Sequence, residues 1–333
     1  MKRIKVRNII IFCVLLLIIC IAITIAIDEY NYRISKIPKF EENIRLAFYI
    51  PFNENNRLAK LDEKSEFKLN ENLPILDGAT AFYPIYAAFV EAVYPSIKYG
   101  YFNDIAQCNK TANAYNNLLN GNVDLIFCLE PSEVQLQQFI DNNINLKFVP
   151  IGREAFVFFV NKNNPVENLT VEDIQEIYTG KLKNWNELNG TNSKILTYQR
   201  PASSGSQTIL EKIMGSISIV EPLMEEVMIG MDNMIEQIAE YTNFNNAIGY
   251  SFLIYTTEMV GNNQIKLLSV NNIYPSIKTI QDNTYPFTVN IYGIYNDTEE
   301  KNENIEPFIK WILSRQGQTL ISRTGYAPIN VIK

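Results

Sequence analysis

Three regimes of apolar and polar patterning succeed one another along the chain. Residues 9–27 are almost purely apolar and uncharged, and Lys2, Arg3, Lys5 and Arg7 stand just before them. Such a run is long enough to span a bilayer, and its basic flank predicts residues 1–7 inside and the remainder outside. Segment 8–27 therefore reads as a transmembrane signal anchor. A signal peptide that is removed has a shorter apolar core closed by small residues. Leu17-Ile18-Ile19-Cys20 has the spacing of a lipoprotein cleavage site, but Ile19 occupies the place of a small residue, so lipidation at Cys20 ranks behind the uncleaved anchor. Residues 28–72 are polar and weakly periodic, which predicts a spacer. Within it, Ile44 to Phe52 reads as a short strand or helical turn packed on the domain.

From Leu73 the pattern becomes strand, helix, strand, helix. Leu73-Pro74-Ile75-Leu76 and Asp124-Leu125-Ile126-Phe127-Cys128 are short apolar runs of the buried-strand type, and helices between them imply parallel pairing. Asp77-Gly78-Ala79-Thr80-Ala81 opens an amphipathic helix with Ile85, Phe89 and Val93 at helical spacing and Thr80 in a capping position. Cys108-Asn109-Lys110-Thr111 opens another, running through Tyr115, Leu118 and Leu119 to a stop near Gly121. Further on, Thr170 with Asp173 three residues later predicts a capped helix that Gly180 ends. Helices are also predicted near Val220 to Met228, over Met231 to Tyr241 and over Ile305 to Ser314, and Trp185 is read as a core residue.

The stretch with most chemistry is Arg200-Pro201-Ala202-Ser203-Ser204-Gly205-Ser206-Gln207, which enters the apolar segment Thr208 to Met214. Pro201 favours an extended entry, Ser203 or Ser204 can cap the helix, and Gly205 lets backbone approach a ligand. A helix start with free N–H groups, hydroxyls and one fixed guanidinium suits a small oxyanion. Taken alone, the stretch also reads as an ordinary serine-capped helix. Together with the starts at Thr80 and Thr111, it supplies three hydroxyl-bearing helix N-termini that can converge on one anion.

Composition removes several alternatives. The 29 Lys and Arg against 36 Asp and Glu give a net charge of −7. Four cations precede the apolar run, so the rest carries 25 against 36, a net of −11. That sign disfavours nucleic acid as a partner. It does not disfavour a small anion, whose binding depends on local dipoles and a nearby cation. The chain has no His, which excludes a Ser-His-Asp triad, a Cys-His dyad and a His-rich zinc site within it. No phosphate-binding loop of the Gly-x-x-x-x-Gly-Lys-Ser/Thr type is present, and a Ser-x-x-Lys spacing at Ser65 and Lys68 lies in a charged polar stretch. No enzyme, cofactor or metal is expected. Cys108 and Cys128 close strands expected to be neighbours; either a disulfide or two buried thiols fits, and thiols are preferred.

A family resemblance is carried by Gly78-Ala79-Thr80 with Pro84 and Tyr86, by Tyr178-Thr179-Gly180-Lys181-Leu182-Lys183-Asn184-Trp185-Asn186-Glu187, and by Arg200 with Ser204-Gly205-Ser206. It continues in Ala247-Ile248-Gly249-Tyr250, in Trp311 to Gln318 and in Gly325-Tyr326-Ala327-Pro328-Ile329. In this order and spacing, from about Leu73 to Ile332, the chain resembles the phosphate-binding proteins of bacterial ABC transporters, of the type II periplasmic-binding-protein superfamily. The resemblance implies an α/β fold of two lobes around a ligand cleft, with residues 73–153 and 250–333 in lobe one and 154–249 in lobe two. Glu154 to Asn161 would be the crossover. It implies capture of inorganic phosphate outside the cell and delivery to an ABC permease by a monomer held at the membrane by its N-terminal helix. Implied ligands are the Thr80 hydroxyl and Ala81 N–H, Thr111 with Lys110 as a charged neighbour, and Arg200, Ser204, Gly205 and Ser206. The family's proton-accepting Asp has no counterpart in place; Glu130 lies one position away and is the candidate for that role. Arg153 is read either as part of the hinge, paired with Glu154, or as an anion contact. Another tetrahedral oxyanion, sulfate or molybdate, and a sensory ectodomain of the same fold are the alternatives.

Overall fold

The computed structural model describes residues 46–96, 105–222, 227–239 and 246–329, together with Leu16, Ile23 and Thr24. The predicted anchor 8–27 and its basic flank otherwise lie outside the described residues. Among the described residues no helix is long and apolar enough to cross a membrane. The chain divides into a unit of residues 1–41 and a unit of residues 42–333, and both lobes belong to the second.

The first lobe is built on the predicted β-α-β pattern. Strand β1 (Leu76–Gly78) and strand β2 (Leu125–Cys128) pair in parallel, every residue of both being buried. Helix α1 (Tyr83–Val93) and helix α2 (Lys110–Leu119) lie between them in sequence. Gly121 takes φ +68 just beyond α2, the left-handed conformation that stops a helix cheaply only at glycine. After β2, Ser132 and Gln135 cap helix α3 (Glu133–Asp141) reciprocally.

Strand β3 (Leu146–Asn161) is the spine of the molecule. Its first part pairs antiparallel with β9 (Thr288–Asn296), which in turn pairs with β2. From Phe156 onward it pairs instead with β6 (Ala247–Phe252) and β7 (Ile265–Leu267). Strand β5 (Leu196–Thr197) then extends the sheet beside β6. A strand buried on both faces reads as a continuous apolar run, and Ala155-Phe156-Val157-Phe158-Phe159-Val160 is one, wholly buried.

The second half carries α4 (Val171–Tyr178), closed at its start by the predicted Thr170–Asp173 capping box, followed by α5 (Gly205–Met214) and α6 (Met231–Ala239). Trp185 is buried and donates its Nε1 hydrogen to the Asn246 carbonyl at 2.6 Å. Residues 277–281 form the short α7, and α8 (Ile305–Ile312) with α9 (Arg315–Arg323) returns to the first half. Cys108 and Cys128 are buried free thiols.

Three expectations are revised. The described part of the spacer, residues 46–72, is packed on the domain. It buries Leu58 and Leu69 and is tied down by Glu63–Arg315 at 2.6 Å and by Glu66 N–H to Gln316 at 2.9 Å. Polar composition hid this, because the tethers are side-chain and backbone hydrogen bonds rather than an apolar stripe. Part of the expected first-lobe segment 250–333 lies on the second half's sheet: Ile265–Leu267 pairs with Phe159–Asn161, and Ser269–Val270 (β8) pairs with Asn168–Leu169 (β4). No helix occupies the described residues of 220–228; Val227 forms a bridge with Gln199 instead.

Candidate functional site

Strand β1 ends at Gly78, a position that requires glycine because an added Cβ would lie 2.6 Å from the Phe127 carbonyl oxygen. The chain then turns through a 3-10 turn, Thr80–Phe82, into α1. Thr80 makes no side-chain cap bond, contrary to the sequence reading, so its hydroxyl is not committed to the helix end. Ala81 is fixed from behind by the Tyr326 hydroxyl, which donates to its carbonyl.

Asp77 links this turn to the start of α2. Its carboxylate accepts from Gly78 N at 2.7 Å, Asn109 N at 2.8 Å, Asn109 Nδ2 at 3.0 Å and Asn117 Nδ2 at 2.9 Å. Burial raises its pKa and these four donors pull it back. Sequence inspection quoted Asp77 but gave it no role; the run of Asn residues in α2 was the available signal.

The second-lobe contribution is the turn before α5. Ser203 takes φ 61, and Ser204 caps the helix by accepting from Gln207 N at 3.3 Å. Arg200 is buried, with its N–H shared between Gln207 Oε1 at 3.1 Å and Tyr250 Oη at 2.9 Å, and with Nη1 donating to the Met228 carbonyl at 2.9 Å. Tyr250 also donates to Gln207 Oε1. Gln207 and Tyr250 thus hold the backbone of Arg200. Gln207 was missed because nothing at the third position of a helix marks it for a role outside the helix.

These elements meet around a cavity of about 230 Å³. Its wall includes Thr80 and Ala81 from the first turn, Lys110 and Thr111 from α2, and Arg200, Ser204, Gly205 and Ser206 from the second half. An added Cβ at Gly205 would lie 2.9 Å from Thr111 Oγ1, so the starts of α2 and α5 touch there and only glycine fits without displacement. Ser206 Oγ is buried and has no hydrogen-bond partner. A buried hydroxyl left so is costly, and here it belongs to the cavity wall. Ile229, Met231 and Phe252 supply an apolar side that the sequence reading did not include.

Two candidates lie elsewhere. Glu130 is outside this cavity; its Oε2 binds Lys212 Nζ at 2.5 Å and its Oε1 accepts from Tyr292 Oη at 3.1 Å. The Lys212 hydrogen bond lowers its pKa, as expected for an ionised partner of an ammonium. One position in a loop reverses the direction of a side chain, which a sequence offset cannot reveal. Arg153 also stays away, with Nη1 against the Gln281 carbonyl at 3.5 Å. Nor does it pair with Glu154. Successive residues of a strand face opposite sides, and Glu154 points inward, fully buried, accepting from Ala155 N at 2.8 Å and Ile254 N at 3.3 Å. Among the described residues no carboxylate lines the cavity.

Similarity to known proteins is one of family and fold. The family described as PBP superfamily domain matches residues 75–316. A phosphate-binding protein PstS of Borreliella burgdorferi is 24% identical over 266 residues, covering 78% of this chain and 91% of that protein. PstS of Bacillus subtilis is 26% identical over 217 residues, covering 64% of this chain and 65% of that one. The structure of a substrate-binding protein from Clostridium perfringens with bound phosphate superposes with a TM-score of 0.60 at 22% identity, covering 77% of this chain and 99% of that chain. That likeness is one of fold.

Proposed function

The chain belongs to the PBP superfamily, and we propose that within it this protein captures inorganic phosphate in the interlobe cavity and delivers it to an ABC permease. The observation that carries the reading is the buried, unpartnered Ser206 hydroxyl in a wall that also holds Arg200, Lys110 and three helix starts. The names of its relatives supply phosphate as the anion, and the Clostridium perfringens neighbour, a phosphate ABC transporter substrate-binding protein, supplies transport as the context. The reading is of a binding protein, not an enzyme.

The assigned roles follow from each group's chemistry. Arg200 forks onto two oxygens. Thr80, Thr111, Ser204 and Ser206 offer hydroxyls, and Ala81 and Gly205 offer N–H groups at helix starts where the dipole favours negative charge. Lys110 adds a second positive charge. Expulsion of water as the lobes close strengthens every one of these bonds, so capture is coupled to closure. We place lobe one at residues 73–155 with 288–333 and lobe two at 156–270, divided where β3 changes partners. Residues 8–27 serve as the membrane anchor, or Cys20 as a lipid site, with the lobes outside the cell.

A second reading, capture of another tetrahedral oxyanion such as sulfate, is favoured by the absence of a carboxylate among the described residues of the wall. A carboxylate beside the anion is what tolerates a protonated ligand and rejects one without a proton. Calorimetric titration of the full chain, freed of endogenous ligand, with phosphate, sulfate and molybdate separates these readings. Phosphate binding that weakens at least thirtyfold in Arg200→Ala is expected, from about 2–5 kcal/mol for truncating one side of a buried charged contact. No binding to any of the three anions refutes capture and leaves a sensory ectodomain.

A further inference from the structure

We infer that Glu130 and Lys212 form a strut across the interlobe cleft, a positioning pair that favours the closed arrangement without touching the anion. This rests on the reading that the cleft closes around a ligand. Glu130 lies in the loop between β2 and α3, and Lys212 lies in the last turns of α5, so their 2.5 Å contact joins one half of the molecule to the other. Tyr292, on β9 of the first half, donates to Glu130 Oε1 at 3.1 Å and aims the carboxylate across the gap. Beside the pair, the Ser132 and Ser203 hydroxyls meet at 3.3 Å, a second contact between the same two halves.

The surroundings make the strut stand out. Two open spaces, of about 410 and 980 Å³, both have Glu130, Lys212 and Tyr292 in their walls. The pair therefore stands between two open spaces, with the Ser132–Ser203 contact beside it. Lys212 is on the same helix whose first residues, Gly205 and Ser206, line the anion cavity. About seven residues at about 1.5 Å each separate them, so a rigid helix carries the constraint roughly 10 Å to the cavity.

Like charges oppose the strut. Glu133 on α3 and Glu211 on α5 both line the larger space, and the charge of Glu133 helps raise the pKa of Glu211, after burial. Closure thus sets one attraction against one repulsion. The strut's side chains are 43% and 52% exposed, which limits the effect of a pair of this kind to about two- to fivefold.

Single-molecule energy transfer tests this on the full chain, with dyes attached through noncanonical residues at the exposed positions Asn142 and Lys194 and the ratio of closed to open molecules read with and without inorganic phosphate. Lys212→Met and Glu130→Gln should each lower that ratio two- to fivefold, the double variant no further than either single one. Glu211→Gln should raise it, and the swapped pair Glu130→Lys with Lys212→Glu should restore the original value. An unchanged ratio in the single variants, additive losses in the double, or no closed fraction under any condition overturns the strut. A wild-type chain whose ratio does not respond to phosphate sinks the phosphate reading instead, and the variants' ratios without ligand still judge the strut.

Discussion

Glu154 offers a pH-dependent test of how the two halves are joined. It is fully buried in β3 at the point where the strand passes from one set of partners to the other, and its oxygens accept from Ala155 N and, just past the end of β6, from Ile254 N. Loss of water pushes its pKa up to about 8, against which the two N–H donors work only in part. The folded state therefore holds a proton that the unfolded state releases above pH 4.5. On this group's account stability is complete below pH 4.5 and is lost progressively as pH rises to 8. At about 1.36 kcal/mol per pH unit over that gap, the loss approaches about 5 kcal/mol. Between pH 5 and 8 the share lost is about 3.5 kcal/mol, which at roughly 2 °C per kcal/mol for a domain of this size is about 7 °C in melting temperature. Asp77, Asp124 and Glu211 also have raised pKa values, mainly by burial, and add slope of the same sign. Comparison with Glu154→Gln removes them, because the variant keeps all three. Melting followed by calorimetry at pH 5, 6, 7 and 8 should show a fall with pH that is about 7 °C smaller in the variant. Parallel curves for the two proteins would refute the assignment of the proton to Glu154.

Three further outcomes are expected. Gly205→Ala places a Cβ 2.9 Å from Thr111 Oγ1; phosphate affinity measured by calorimetry should fall about tenfold, for a strain on the order of 1.4 kcal/mol, while the melting temperature stays within 2–3 °C at roughly 2 °C per kcal/mol. Gly78→Ala meets the Phe127 carbonyl at 2.6 Å, a backbone atom that cannot rotate away, so denaturant titration should show a loss of about 1–3 kcal/mol. With Arg200 and Lys110 and no carboxylate among the described wall residues, the cavity should prefer anions carrying two charges. Phosphate affinity should then rise from pH 5 to 8 as the anion loses its second proton, sulfate affinity should stay flat, and phosphate binding that weakens over that range would count against a site without a proton acceptor for the ligand.

Several helix ends were legible because each is written in nearby residues, the exception being Thr80, which makes no cap bond. Thr170 with Asp173, Ser204 before Gly205, and Gly121 after Leu119 are local devices, and the structure keeps each at its expected place. Parallel pairing of β1 with β2 followed from the same local pattern through the need for a crossover helix. Glu130 failed for the opposite reason. Its direction is set by Lys212 and Tyr292, which lie 82 and 162 residues away in sequence, and no local rule reports on them. The described part of the spacer was misread similarly, since nothing local reports that Glu63 and Asp62 pair with Arg315 and Arg323 or that the Glu66 N–H bonds to Gln316.

The unbroken course of β3 explains how a site made of local pieces becomes a single site. One strand supplies the central pairing of both halves, and its neighbours change between Ala155 and Phe156. The rotation of one half against the other that the proposed capture requires would be confined to the few residues around that change, where Glu154 ties the strand to Ile254. The helix starts on either side are held stiffly within their own halves, by Asp77 in the first and by Gln207 with Tyr250 in the second. A small rotation at β3 then moves Thr80 and Thr111 as one group relative to Arg200 and Ser206. On the proposed reading, an anion that bridges the two groups gains its full set of bonds only when the halves meet, so affinity and closure should change together in any variant that alters the hinge or the strut.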